Sequence, residues 1–146
     1  MMKIIIVSQK GKGKICNDAL LIRKRVFIKE QHIDKKIELD NLDINSIHFV
    51  GYTEKWHPVT TIRLYNSSIG TWHISRVATL KKYRHKGFAS EILKKIERDA
   101  KEKNVKKLEL ESQYKAANLY RKIGFQKIGK LFKEANIDHI KMYKFV

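Results

Sequence analysis

Six consecutive residues in the second half of the chain have the types and order needed to hold an anion: Arg84-His85-Lys86-Gly87-Phe88-Ala89. They stand between an apolar run and the start of a long helical pattern. The first turn of a helix has free backbone N–H groups, and those donors grip phosphate or carboxylate. Gly87 lets a backbone come close to such a ligand, and the small Ala89 keeps the helix start near the strand before it. Three basic residues at a helix N-terminus oppose the helix dipole, and an anionic ligand removes that conflict. Taken alone, one Gly among cations fits an ordinary turn as well as a phosphate cradle. Walker and dinucleotide-binding glycine patterns are both absent.

The elements that must position this segment follow from periodicity. Residues 2–8 are a short apolar run that predicts a first strand. From Asn17, the residues Ala19, Leu20, Ile22, Val26 and Phe27 recur near helical spacing, with Asn17 or Asp18 as the cap and an end near Gln31. Residues 34–45, acidic and polar among basic surroundings, read as an exposed connection. Strands are predicted over 46–54, 59–65 and 71–80, with hairpin links at 55–58 and 66–70. Residues 86–103 carry Phe88, Ala89, Ile92, Leu93, Ile96 and Ala100 at intervals of three and four, the clearest amphipathic helix in the chain. A half-buried strand over 105–111, a short helix over 115–123 stopped by Gly124, and strands over 125–132 and 137–145 complete the reading. The turn between the last two falls near 134–136. Alternating strands and helices without repeats or a linker predict one α/β domain over residues 1–146, with a mixed sheet and helices on its faces.

Composition narrows the function classes. With 146 residues and 42% hydrophobic content the chain can fill one core. It has no stretch near 18 consecutive apolar residues, and residues 1–7 lack the flanks of a signal peptide, so a soluble cytoplasmic protein with no membrane partner is expected. The single cysteine, Cys16, reads as a packing thiol, and no Cys/His cluster offers metal-ligand spacing. The net charge of +17 is uneven: residues 1–80 hold 13 basic and 7 acidic side chains, residues 81–146 hold 19 and 8. Such charge attracts nucleic acid or phosphorylated cofactors alike. Basic residues interleaved with stacking aromatics, the mark of a nucleic-acid surface, are missing apart from Tyr83 beside Arg84, so nucleic acid is the less favoured partner.

At Arg84, Gly87 and Ala89 the sequence resembles the GNAT superfamily of acetyltransferases, whose coenzyme motif reads Arg or Gln, two residues, Gly, one residue, Gly or Ala. The apolar strand the family places before this loop is here Arg76-Val77-Ala78-Thr79-Leu80. The run Ala116-Ala117-Asn118-Leu119-Tyr120-Arg121-Lys122-Ile123-Gly124-Phe125 is similar to the family's late Leu-Tyr and Gly-Phe segment. Over nearly its full length the chain also resembles the ElaA-like branch of small acetyltransferases, through Arg23, Val26-Phe27, Glu30-Gln31, Glu38, Asp40, Asp43, His48 and Asp138-His139-Ile140-Lys141-Met142. Two departures stand out. No Pro follows the strand at Leu80-Lys81-Lys82-Tyr83, and Gln113 stands where many members carry Asn.

The resemblance implies a GNAT fold: a mostly antiparallel sheet of six or seven strands, splayed between the fourth and fifth and flanked by helices. It implies acetyl-CoA as co-substrate, with no metal, and an amine acceptor on a small molecule or a protein; a homodimer is left open. Backbone groups of Val77, Ala78 and Thr79 would meet the pantetheine arm. Arg84, His85, Lys86, Gly87, Phe88, Ala89 and Ser90 would hold the pyrophosphate, with Gln113 and Ala116 nearby. Tyr120 is the general-acid candidate, helped if a positive field lowers its pKa. Glu30 is the general-base candidate, with His73, His48, His139 or a water path as alternatives. Arg76 with Glu38, Asp40 and Asp43 either pair structurally or shape a pocket for a cationic amine.

Overall fold

The computed structural model describes residues 2–146. Strand β1 (Ile5–Lys10) leads to helix α1 (Lys14–Arg23), which runs without a break into a π-helical segment, Lys24–Glu30. The one-turn helix α2 (Lys35–Glu38) follows, then the hairpin strands β2 (Ile47–Tyr52), β3 (Pro58–Ser68) and β4 (Thr71–Thr79). Helix α3 (Phe88–Glu102), strand β5 (Lys107–Gln113), helix α4 (Ala117–Lys122) and strands β6 (Gln126–Glu134) and β7 (Ile137–Phe145) complete the chain. Among the described residues no helix is long and apolar enough to cross a membrane.

The seven strands form one sheet in the order β1-β2-β3-β4-β5-β7-β6, antiparallel except for β4 and β5. That parallel pair is short, running only from Thr71 opposite Lys107 to Ile74 opposite Leu110. Beyond it β5 keeps pairing with β7 through Glu111, Ser112 and Gln113, while β4 keeps pairing with β3. The sheet therefore splits between its fourth and fifth strands, as the resemblance implied. The cause of the divergence lies in β4. Ser75 faces Arg63 and Ala78 faces Thr61, so Arg76 and Val77 together oppose Ile62 in a bulge, with Arg76 at φ 52. Bulges bend the strand that carries them and increase its twist.

Strand alternation divides the apolar residues between two faces. On one, Ile92, Leu93, Ile96 and Ala100 of α3 pack with Ile62, Leu64, Ile74, Leu108 and Leu110 of the sheet and with Ala117 and Tyr120 of α4. On the other, Ala19, Ile22, Val26 and Phe27 pack on Val50, Tyr52 and Ala78.

Two sequence expectations fail here. The first helix starts at Lys14, not Asn17, and Asp18 is not its cap. The Asp18 carboxylate instead accepts from Lys14 Nζ and the Tyr52 hydroxyl, a partner 34 residues away. Residues 34–45 are also not simply an exposed connection, because Glu38 and Asp43 are only 1% and 7% accessible. Arg23 bonds Glu38 at 2.6 Å and Asp43 at 2.9 Å; Arg63 bonds Asp43 at 3.0 Å and Asp40 at 2.7 Å; Arg76 reaches Asp40 at 3.2 Å. Three guanidinium groups and three carboxylates thus neutralise one another under the first helix. Burial alone would raise the Asp40 and Asp43 carboxyls, but the hydrogen bonds and charges of Arg63 and Arg23 outweigh it and hold both below the usual range.

Removing one partner from such a network leaves an uncompensated buried charge, so Asp43→Asn should cost about 3–5 kcal/mol in urea unfolding at pH 7. A depressed carboxyl contributes stability above its unfolded pKa and loses it as pH falls through the folded value. The wild-type advantage over Asp43→Asn should therefore be constant from about pH 8 to 5 and shrink below about pH 4. An advantage independent of pH down to 2.5 would contradict this account.

Candidate active site

The gap between β4 and β5 opens into a cavity of about 980 Å³. Val77, Ala78 and Thr79 form one bank, Ser112 and Gln113 the other, and Val26, Phe27, Glu30 and Gln31 of the π-helical region lie across it. Of the residues singled out in the sequence for cofactor or catalysis, all but Lys86 and the alternative base His48 line this cavity: Arg84, His85, Gly87, Phe88, Ala89, Ser90, Ala116, Tyr120 and Glu30 join those just named. Lys86 is exposed outside it. The β5-facing edge of β4 from Ser75 to Thr79 is paired with no strand, which leaves backbone groups free for an extended ligand.

The loop before α3 has the geometry of an anion cradle. Gly87 is left-handed at φ 79, ψ 13, and His85, which unlike glycine pays a steric cost there, is at φ 62. The first helical bond is Glu91 N–H to Gly87 O, so the N–H groups of residues 85–90 have no backbone partner. A Cβ built on Gly87 would meet nothing within 4 Å, so space for a ligand adjoins the glycine. Free donors, open space and a positive helix end together fit a pyrophosphate.

Arg84 fastens this loop to two other elements. Its Nε donates to Thr79 O at 2.9 Å, and its two terminal nitrogens donate to the Glu30 carboxylate at 2.6 and 2.7 Å. The Arg84 hydrogen bonds hold the Glu30 carboxyl below its ordinary range. With both oxygens engaged and its basicity reduced, Glu30 is placed to orient Arg84, and its geometry gives no support to the proton-accepting role expected from the sequence. A second bridge, Gln113 Nε2 to Gln31 Oε1 at 2.8 Å, ties the same π-helical region to β5. Wide π turns recur at functional sites, and here one turn presents neighbouring side chains to both banks.

Tyr120 is 5% accessible and meets the Phe125 ring edge-on at 5.9 Å. Burial pushes its phenol well above the usual value, and no positive field offsets that rise. The histidines separate by environment. His48 is fully buried, bonds Asp43 O through Nε2, and is driven down by that burial; it lies away from the cavity. His139 lines the cavity with Nδ1 on Ile137 O. His73, also lining it, sits between Glu109 and Glu111. Glu109 and Glu111 were missed in the sequence, although carboxylates two apart on a half-buried strand share one face and so converge on whatever pairs opposite.

The fold, with its sheet split between the fourth and fifth strands, is that of a class of acyltransferases. Residues 8–146 match the family described as acetyltransferase (GNAT) domain, and the chain belongs to that family. It is 36% identical to the uncharacterized protein YyaT of Bacillus subtilis over 132 residues, 88% of this chain and 87% of that one. It is 31% identical over 144 residues to the uncharacterized N-acetyltransferase YjcF of the same organism, covering 98% and 99%. Its fold is that of Escherichia coli ElaA, with a TM-score of 0.84 at 20% identity, over 97% of this chain and 99% of that one.

The Glu30 carboxylate adds negative charge beside the loop whose geometry fits an anion. Glu30→Gln should tighten coenzyme A binding about three- to ten-fold in calorimetry, the size of one screened charge at a few ångströms. Weaker binding would show that the aim Glu30 gives Arg84 outweighs the negative charge it adds.

Proposed function

We propose that this chain transfers an acetyl group from acetyl-CoA to a primary amine by direct attack in a ternary complex. The observation that carries the reading is the single cleft running through the sheet split, with an anion cradle on one side and a bank of titratable side chains on the other. Under this reading residues 1–146 are one catalytic domain acting in the cytoplasm.

Each part of the chain has a role. N–H groups of residues 85–90 hold the pyrophosphate, with Arg84 adding charge and the exposed Lys86 adding field from outside. The free edge of β4 at Val77, Ala78 and Thr79 pairs with the pantetheine amides as a further strand would, and a backbone N–H there polarises the thioester carbonyl. Gln113 and Ala116 border the arm from the other bank. The amine nitrogen attacks the carbonyl carbon, the carbon–sulfur bond breaks, and the proton lost by nitrogen ends on sulfur. A phenol whose pKa is raised does not survive as phenolate. Tyr120 therefore serves by donating to sulfur as charge builds there while receiving the nitrogen's proton, so that it is neutral before and after.

The net charge of +17 favours a second reading, a CoA-binding module that docks on RNA without catalysis. Retention on RNA that falls steeply with salt and is not competed by CoA would support that reading.

Acetyl-CoA should raise the melting temperature of the native protein, and Gly87→Glu should abolish the rise by placing bulk and negative charge in the cradle. No rise in the native protein would remove the donor assignment. Tyr120→Phe should keep the thermal shift yet lower kcat for thiol release about 100-fold, the lower end of general acid–base contributions. Unchanged turnover in a chemistry-limited assay would take Tyr120 out of the mechanism.

A further inference from the structure

At the vertex of the split, where β4 and β5 make their last paired rungs, stands a carboxylate–imidazole–carboxylate group. His73 faces Glu109 across one of those rungs, and Ile74 opposite Leu110 is the last. Glu111, next on the same face of β5, lies just past the pairing. His73 Nδ1 is 2.9 Å from Glu109 Oε2 and Nε2 is 3.2 Å from Glu111 Oε1. The imidazole is 8% accessible and stacks on the Tyr65 ring at 5.0 Å. His73 and Glu111 line the cavity, whereas Glu109 stands behind them.

Resting on the acetyltransferase reading, we propose that Glu111 receives the ammonium of the incoming amine and that His73, backed by Glu109, takes up the proton the amine must lose before it attacks. The acceptor it selects is a cationic amine. The step balances without a further reactant. One N–H bond of the ammonium breaks, its electron pair stays on nitrogen, and the proton passes through the Glu111 carboxylate to His73 Nε2.

The geometry explains why this group accepts protons. Imidazolium donates from both nitrogens and so satisfies both carboxylates, while neutral imidazole turns a lone pair toward one of them. Burial works to lower the His73 pKa, but the hydrogen bonds and charges of Glu111 and Glu109 outweigh it and raise it. The group carries −1 with His73 protonated and −2 with it neutral, so an ammonium is attracted in both states. Other charges set the field around it. Tyr65 of β3, stacked on His73, feels Glu111 and Glu109 as well as Arg63 and Asp40; Arg63 is itself held by Asp40, Asp43 and Ser75, and Lys141 of β7 acts on Glu109. A histidine serving only to join two strands needs one carboxylate and no access to the cleft.

The test uses the full chain, acetyl-CoA and a panel of primary amines of graded basicity, with free thiol as readout. For strongly basic amines, kcat/KM should rise with pH along a limb centred above about 6.5, the ordinary histidine value. Glu109→Gln should move that limb to lower pH while keeping the plateau. His73→Gln should abolish the limb and lower kcat/KM at least about 100-fold. Both variants should retain the acetyl-CoA thermal shift, which also reports that they fold. For an amine already neutral at pH 7 the His73→Gln defect should nearly vanish, because no proton needs removal. Acetylation with an unchanged pH profile in both variants, or an equal defect for neutral and charged amines, would overturn the proposal alone. A wild-type protein that binds acetyl-CoA and acetylates no amine of the panel would overturn the acetyltransferase reading beneath it.

Discussion

The cleft exists because β4 leaves β5 after Ile74, and the bulge that turns β4 away is held by Arg76. A non-glycine residue at φ 52 costs roughly 1–2 kcal/mol, so something must hold it there. Arg76 donates to Ile37 O, Glu38 O and Asp40, all in the segment leading out of α1, while its neighbour Ser75 accepts from Arg63. The ion network therefore has a second function beyond neutralising buried charge. It couples the bulge to α1 through Arg23 and to β3 through Arg63. Its satisfaction is incomplete, since Arg76 Nε and Glu38 Oε2 have no hydrogen-bond partner, and crowding by Arg63 adds to burial in lowering the Arg76 pKa. A network of this kind gives less stability than its number of contacts suggests, but it fixes one geometry among the several a bulged strand could take.

The donor side is preorganised by a different device. Glu30 and Gln31, adjacent at the end of the π-helical segment, bridge to Arg84 and Gln113 on opposite banks. The width of the cleft is thus set by one turn of helix and not by the sheet alone. On the proposed function the same contact makes Arg84 serve two anions, the Glu30 carboxylate and the phosphate of the donor. That explains why the expected acid–base residue and the expected phosphate ligand turn out to touch each other.

Local features of the sequence were readable and long-range ones were not. The amphipathic spacing of α3, the glycine before it and the alternation along β5 depend on neighbours within a few residues, and all three stand where periodicity put them, β5 with its ends two residues later. The burial of Glu38 and Asp43 depends on Arg23 and Arg63, up to 20 residues away, so a polar stretch looked like a surface loop. Asp18 lost its capping role to Tyr52 for the same reason. The split in the sheet came only through resemblance, because nothing in β4 or β5 read separately says where their pairing stops. The direction of the Tyr120 shift was not readable because a helix face says nothing of how completely Phe125 and the core enclose it.

The two banks of the cleft differ in physical kind, and that difference bears on what each recognises. The donor bank offers backbone N–H groups, which any sequence with the right turns and one glycine can present. The other bank offers side chains placed by partners on separate strands: Glu109 and Glu111 of β5 by register with β7, with His73 of β4 brought to them by its register with β5. Because side-chain period in a strand is two, shifting β5 by one residue would turn Leu108 and Leu110 toward His73 and bury the carboxylates in the core beneath α3. The apolar packing of Leu108 and Leu110 against Ile92 and Ile96 thus enforces the acidic face as firmly as any ion pair does. Core packing and acceptor chemistry are, in this strand, two consequences of one alternation.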